Sequence, residues 1–281
     1  MTRTFVFATD LSAENRAGFA RALRLAYTHN AHLDVLHVLD PHLPHRLLQA
    51  VEHAINEDIG ATLTDIREDY ALEAPKAVVQ TVTGEPHVEI ARKAHEQQAR
   101  LIVLGMHRKR GQKALLAGTT LMRVVRNAPC PVVITQYTPT QPWQHIVIPV
   151  DACLSARQML KQTLSHFPDA KLTLLHAWTL PGEEALGSEV YFAQWREQEV
   201  ARLREALKHQ INDLVHELDD APDIELVLEP GTPCEVTQDY IRYHSPDLAV
   251  MSSRSQPFHS SQLTQALLSE PHCDLMLCRA W

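Results

Sequence analysis

Residues 101–125 read LIVLGMHRKRGQKALLAGTTLMRVV. Leu101 to Leu104 form a short continuous apolar run of the kind that fills a parallel sheet covered on both faces. Gly105 ends the run, and a basic loop carrying Arg108, Lys109, Arg110 and Lys113 follows. Gly118 then allows a tight turn, Thr119 or Thr120 can cap a new helix, and Leu121, Val124 and Val125 give that helix an apolar stripe. The segment is therefore strand, loop, helix. A helix N-terminus with free amides, a hydroxyl residue and nearby cations suits a phosphate group. An ordinary connection with a solvated basic face fits the same residues.

Outward from this stretch, the 281-residue chain has 45% hydrophobic and 21% charged residues, enough apolar content for one large or two ordinary cores. It holds no run of eighteen apolar residues, and Met1 to Asp10 lead straight into a strand-like segment, so the expected location is cytoplasmic. Cys130, Cys153, Cys234, Cys273 and Cys278 are odd in number and far apart, which predicts reduced, mostly buried thiols rather than a disulfide framework or zinc ribbon. The net charge of −8 divides into +2 over residues 1–140 and −10 over the remainder. That balance argues against a nucleic-acid binder.

A repeat decides the architecture. Phe5-Val-Phe-Ala-Thr-Asp10 matches Ile146-Val-Ile-Pro-Val-Asp151, and Leu33-Asp-Val-Leu-His-Val38 matches Leu172-Thr-Leu-Leu-His-Ala177. Gly84-Glu-Pro86 then matches Gly231-Thr-Pro233, Leu101-Ile-Val-Leu-Gly105 matches Leu248-Ala-Val-Met-Ser252, and Pro129–Ile134 matches His272–Leu277. Five correspondences in one order, about 140 residues apart, describe a tandem duplication. Each half reads strand, helix, strand, long helix, strand, helix, strand, short helix, strand. The long helix shows Leu48, Val51, Ile55, Ile59, Leu63, Ile66 and Tyr70 on one face; its counterpart shows Leu203, Leu207, Ile211, Leu214 and Leu218. Ser12 and Ser155 are expected helix starts, the latter with Gln158 as a capping box. The pattern predicts α/β architecture: two doubly wound, open, parallel five-stranded sheets with helices on both faces, packed as an intrachain pseudo-dimer. The expected domains are 1–138 and 145–281, joined by the Pro- and Thr-rich residues 137–144.

In an open parallel sheet, ligands bind at the carboxyl ends of strands where strand order reverses. That rule selects Thr9 and Asp10 after the first strand, Val38 after the second, and Leu104 and Gly105 with their loop after the fourth. Asp10 can accept a hydrogen bond from a base amine or sugar hydroxyl, and it can equally cap the first helix.

A strand ending in Thr-Asp, then Leu-His-Val, Gly-Glu-Pro, and a loop of the form Gly-x2-Gly-x9-Gly-[Ser/Thr] before Pro-x-Pro-Val-Val resembles the universal stress protein family. Nearly the whole chain takes part, in the manner of the tandem two-domain members. The resemblance implies a cytoplasmic stress-response binding module that holds an adenine nucleotide, ATP first, with or without Mg2+. By position, Thr9, Asp10 and Val38 would face the adenosine, while Gly105, His107, Gly118, Thr119 and Thr120 would line the phosphates. The loop's second glycine falls at Arg108, whose side chain would either obstruct the backbone or fork onto phosphate oxygens. A ligand-free interaction protein closed by Arg108 is the alternative. The second half departs further: Ser252 replaces Gly105, Ser261-Gln262 replaces Gly118-Thr119, and only Arg254 is left of the basic run, so domain two is expected to lack a nucleotide site.

No residue stands out as a general base with an orienting partner, so at most slow ATP hydrolysis is expected and no catalytic residue is assigned. His42, His45 and His53 lack zinc-ligand spacing and read as surface residues; no metal site is assigned. His37 and His176 read as satisfied structural histidines near the domain interface, and Cys130 and Cys273 as buried thiols. Val190, Phe192, Trp195 and Leu203 read as core packing. The expected partners are an adenine nucleotide and an unidentified protein, with a homodimer left open and neither nucleic acid nor membrane.

Overall fold

The computed structural model describes residues 3–69, 76–106, 119–136, 141–150, 154–179, 189–215, 223–252, 259–270 and 272–278. Elements alternate as the repeat predicts. The first half runs β1 (Thr4–Thr9), α1 (Arg16–Thr28) behind a short 3₁₀ turn (Ala13–Asn15), β2 (His32–Leu39), α2 (His45–Asp69), β3 (Ala77–Thr83), α3 (Pro86–Glu96), β4 (Leu101–Gly105), α4 (Thr120–Asn127) and β5 (Val132–Thr135). The second runs β6 (His145–Pro149), α5 (Leu154–His166), β7 (Lys171–Trp178), α6 (Glu189–Val215), β8 (Ile224–Pro230), α7 (Pro233–His244), β9 (Leu248–Ser252), α8 (His259–Ser269) and β10 (Asp274–Cys278).

Contacts divide the chain into two compact units, Met1–Pro142 with Leu268–Arg279, and Trp143–Leu267. In the first, the strands lie in the order β3-β2-β1-β4-β5, all parallel, and β10 pairs antiparallel with β5 through Leu275 with Ile134 and Leu277 with Val132. The second contains the parallel set β9-β6-β7-β8. The sequence repeat and the compact unit thus differ by one strand: β10 closes the second repeat in sequence but lies in the first unit.

A buried ion pair ties β10 in place. Arg21 Nε sits 3.3 Å from Asp274 Oδ2, both side chains under a tenth exposed. Asp274 Oδ1 accepts from the Gln136 amide at 2.8 Å, Gln136 Nε2 donates to the Cys273 carbonyl, and Arg21 Nη1 donates to the Gln141 carbonyl at 2.9 Å. The hydrogen bonds around the pair offset part of its loss of water.

Core formation follows from the apolar strand runs. Phe5, Val6 and Phe7 of β1 are fully buried, so both faces of the strand are covered. Phe7 stacks on Phe19 of α1 with ring centroids 4.9 Å apart. Burying each such side chain contributes roughly 1.5–3 kcal/mol. On α2 the predicted face is buried only at its C-terminal end, at Ile59, Leu63 and Ile66; Leu48, Val51 and Ile55 are partly exposed, and Tyr70 lies outside the described residues. On α6, Leu207 is buried and Leu203 partly so, while the Ile211 and Leu214 side chains and Leu218 lie outside the described residues.

Several local expectations need correction. α5 begins at Leu154, so Ser155 lies inside the helix rather than capping it. Ser12 precedes the 3₁₀ turn without a side-chain capping bond. Trp195 is 39% exposed, so the aromatic content of α6 is not all core; the Val190 and Phe192 side chains lie outside the described residues. Pro86 and Pro233 do open their helices. Before the second, Gly231 has φ +132°, and a Cβ there would meet Val236 Cγ2 at 3.0 Å, which explains that glycine by backbone and space together. Among the described residues, no helix is long and apolar enough to cross a membrane.

Candidate functional site

Strand order turns back at β1. The chain places β2 and β3 on one side of it, then returns to place β4 on the other, and such a reversal is the position at which open parallel sheets generally bind ligands. Pairing of Ala8 with Leu104 sets the carboxyl ends of β1 and β4 side by side, bringing Thr9 and Asp10 together with Leu104 and Gly105. Val38 lies across β1, one residue beyond the pairing of Thr9 with His37.

After β1 the backbone folds sharply. Leu11 takes φ +63°, a left-handed conformation that costs a branched residue energy, and its amide donates to Thr9 Oγ1 at 3.1 Å. Asp10 Oδ1 accepts from the Ser12 amide at 3.0 Å, the Ser12 hydroxyl at 2.7 Å and Asn15 Nδ2 at 3.1 Å. The capping role open to Asp10 is therefore realised, as a clamp on the turn leading into α1. His37 Nδ1 donates to the Thr9 carbonyl at 2.9 Å, and His176 repeats the bond to the Val150 carbonyl at 2.9 Å. Both histidines are satisfied, and each locks the carboxyl end of the neighbouring strand.

Gly105 has a structural cause beyond the one read from sequence. A Cβ at this position would lie 2.0 Å from Asn15 Oδ1 and 2.7 Å from its Cγ. Gly18, one turn into α1, is equally constrained: its Cβ would meet Asn15 Oδ1, Gly105 Cα and Thr135 Oγ1, each at 2.9 Å. Two glycines therefore let α1 press against the end of β4. Asn15 is buried, and among the described residues its Oδ1 accepts no hydrogen bond. Thr135 Oγ1 donates to the Leu104 carbonyl at 3.3 Å. Sequence reasoning passed over Asn15, Gly18 and Thr135. A glycine inside the apolar helix pattern at Gly18 was the available signal.

Thr119 caps α4, its hydroxyl accepting from the Met122 amide at 3.4 Å, and Thr120 is the first helical residue. Of the two threonines offered as caps, the structure selects Thr119. His107, Arg108 and Gly118, with the rest of the basic loop, lie outside the described residues. In the second unit, Ser252 occupies the Gly105 position and is buried, while Asp151 and Arg254 lie outside the described residues.

The thiols divide by environment. Burial pushes Cys130 and Cys278 up to about 12, with Arg100 pulling Cys130 weakly the other way. Neither is a nucleophile near neutral pH. Cys273 is buried, whereas Cys130 is only part-buried, a modest departure from the expected burial. His42, His45 and His53 are exposed, and the described residues contain no cluster of three metal-ligating side chains.

Comparison with known proteins agrees with this architecture. A protein of unknown function from Pseudomonas aeruginosa PAO1 is 17% identical over 99% of this chain and 92% of its own, with a TM-score of 0.69. A universal stress protein from Archaeoglobus fulgidus DSM 4304 is 14% identical over 98% of this chain and 96% of its own, with a TM-score of 0.64. An Arabidopsis thaliana family member with AMP bound is 20% identical over 49% of this chain and 92% of its own, with a TM-score of 0.36. No protein with a curated description matches the chain. The model of the universal stress protein family matches twice, over residues 1–136 and 142–279, and together these cover almost the whole sequence. With two matches in tandem and the parallel α/β elements of both halves in place, the chain belongs to the universal stress protein family.

Proposed function

We propose that the first domain binds an adenine nucleotide, with ATP the first ligand to test, and that the protein acts as a regulatory binding module rather than as an enzyme. The observation that carries this reading is the juxtaposition of Thr9, Asp10, Leu104 and Gly105 at the reversal of strand order. The donor set suits the ligand. Gly105 presents no side chain, Asp10 supplies a carboxylate acceptor of the kind that a ribose hydroxyl or adenine amine donates to, and Thr119 caps a helix N-terminus of the kind that favours anions. Arg108 and Lys109 supply cations for phosphate in sequence. The second domain, with Ser252 in place of Gly105, serves as the silent partner.

One observation favours the ligand-free alternative: Asp10 Oδ1 is already committed to three bonds within its own turn. Calorimetric titration with ATP and magnesium separates the readings. The expected result is about one nucleotide per chain, lost in Gly118→Val. No heat at millimolar ATP in the native protein, with binding gained in Arg108→Gly, would establish the interaction-protein reading instead. Two sites per chain would overturn the silence of the second domain.

A further inference from the structure

Among the described residues, the sheet of the first unit ends at β3. Among the described residues β3 pairs only with β2, and it carries the sequence Ala77-Val-Val-Gln-Thr-Val-Thr83, without a charge or a proline, with Val78 49% exposed. Edge strands present unpaired amides and carbonyls, and proteins ordinarily blunt them with charges, prolines or bulges. The equivalent strand of the second unit is blunted in this way: β8 holds Glu225 and Glu229, ends at Pro230, and binds Glu225 to Lys171 at 2.7 Å. The two edges descend from one repeat, but only one is defended.

We propose that β3 is the docking edge for β3 of a second copy of this chain, in an antiparallel pairing centred on Gln80. The backbone sets which groups are on offer. The Leu33 amide donates to the Lys76 carbonyl, and the parallel register Leu33 with Ala77, Val35 with Val79 and His37 with Thr81 follows. Residues 78, 80 and 82 therefore turn their amides towards β2, while Ala77, Val79, Thr81 and Thr83 turn theirs outward. An antiparallel twofold pairing about Gln80 matches this alternation. Val79 and Ala77 of one copy then form hydrogen-bonded pairs with Thr81 and Thr83 of the other, each twice.

Side chains agree with the same register. Val78 falls opposite Val82 of the second copy, Val79 opposite Thr81, and Gln80 opposite itself, so the cross-strand pairs are apolar, β-branched or amide. Exposed Lys76 comes opposite Gly84 of the second copy, next to its exposed Glu85, so the flanking charges are opposite in sign. The corresponding register on β8 centres on Val227 and sets Glu225 against Glu229 twice, a like-charge pairing that disfavours the contact. A second copy is thus the occupant that fits β3, and β8 is excluded from the same role.

Light scattering coupled to size exclusion, over about 1 to 100 µM protein, reads the association. Native protein is expected to rise with concentration towards twice the chain mass of 31.7 kDa. Val79→Pro removes an outward amide without touching the ladder to β2, and Val78→Lys places a cation on the edge; both are expected to remain at the single-chain mass with unchanged circular dichroism. The register is tested separately by Gln80→Cys. Antiparallel pairs without hydrogen bonds bring Cα atoms to about 4.5 Å, within disulfide range. Mild oxidation should therefore join the two substituted positions, as mapped by peptide mass spectrometry. A single-chain mass at every concentration, or a dimer that survives both Val79→Pro and Val78→Lys, overturns the proposal. A dimer without the Gln80→Cys crosslink overturns the register.

Discussion

Asn15 and Gly105 show how one atom can decide a residue type. Asn15 Oδ1 occupies the space that any side chain at position 105 would enter. Gly105→Ala is therefore expected to lower stability by about 1–3 kcal/mol, read as a fall in the urea midpoint. Because the collision is with Asn15, adding Asn15→Ala to that variant should recover most of the loss, although the bond from Asn15 Nδ2 to Asp10 is given up. Strictly additive effects would show that the contact is not the cause. In sequence, Gly105 was legible as a glycine that matters at a strand end. The steric reason was not, because the approach of α1 is a contact between segments about ninety residues apart in the chain.

At the scale of elements, the two repeats solve one packing problem with different chemistry. In the first, Asp34 on β2 is buried between His32 Nε2 at 3.0 Å and Lys93 Nζ of α3 at 3.2 Å, and Lys93 also reaches Gln80 Oε1 at 2.7 Å. In the second, the same positions on β7 and α7 hold Thr173 and Tyr240, and Tyr240 donates its hydroxyl to Thr173 Oγ1 at 3.2 Å. The ion pair is thus replaced by a neutral hydrogen bond. Lys93→Met leaves a buried carboxylate with, among the described residues, His32 as its remaining ion-pair partner and is expected to destabilise by about 3 kcal/mol. Transplanting the second solution, Asp34→Thr with Lys93→Tyr, should restore most of that loss in denaturant unfolding. If Lys93→Met were neutral, the ion pair would be shown not to hold α3 on the sheet. The long helices were legible at this scale through their 3.6-residue periodicity, but periodicity could not tell that α2 buries only its C-terminal end. Which turns lie over the sheet depends on where β3 ends, a tertiary fact.

Across the whole molecule, His29 and His145 contribute to the acid side of the stability profile. Burial lowers the pKa of His145, with Lys171 adding to the shift and Asp247 and Glu225 opposing it; His244 also faces it. His29 is lowered by burial and then by Arg3. Both have folded values below the ordinary 6.5, so the unfolded chain binds more protons as pH falls. The stability these neutral histidines contribute is complete above pH about 6.5 and is lost as pH falls through the lowered folded values. Unfolding free energy measured by urea titration should therefore decline below pH 6.5, and His145→Gln should reduce that slope while leaving the part due to His29. An unchanged slope in the variant would remove His145 from the account.

From sequence alone, the tandem repeat, the order of elements and the family followed, because short apolar strand runs, helical periodicity and turn residues are local signals that recur in both halves. That Thr9, Asp10, Leu104 and Gly105 lie at neighbouring strand ends was also legible, since strand order in such sheets is governed by general rules. Tertiary structure alone decided that Arg21 and Asp274 hold β10 in place, that Asn15 adds a steric reason for Gly105, and that Asp34 and Thr173 answer the same need differently. These depend on which side chains meet across long separations in the chain, and burial, ion pairing and close contact are properties of that meeting rather than of any local stretch.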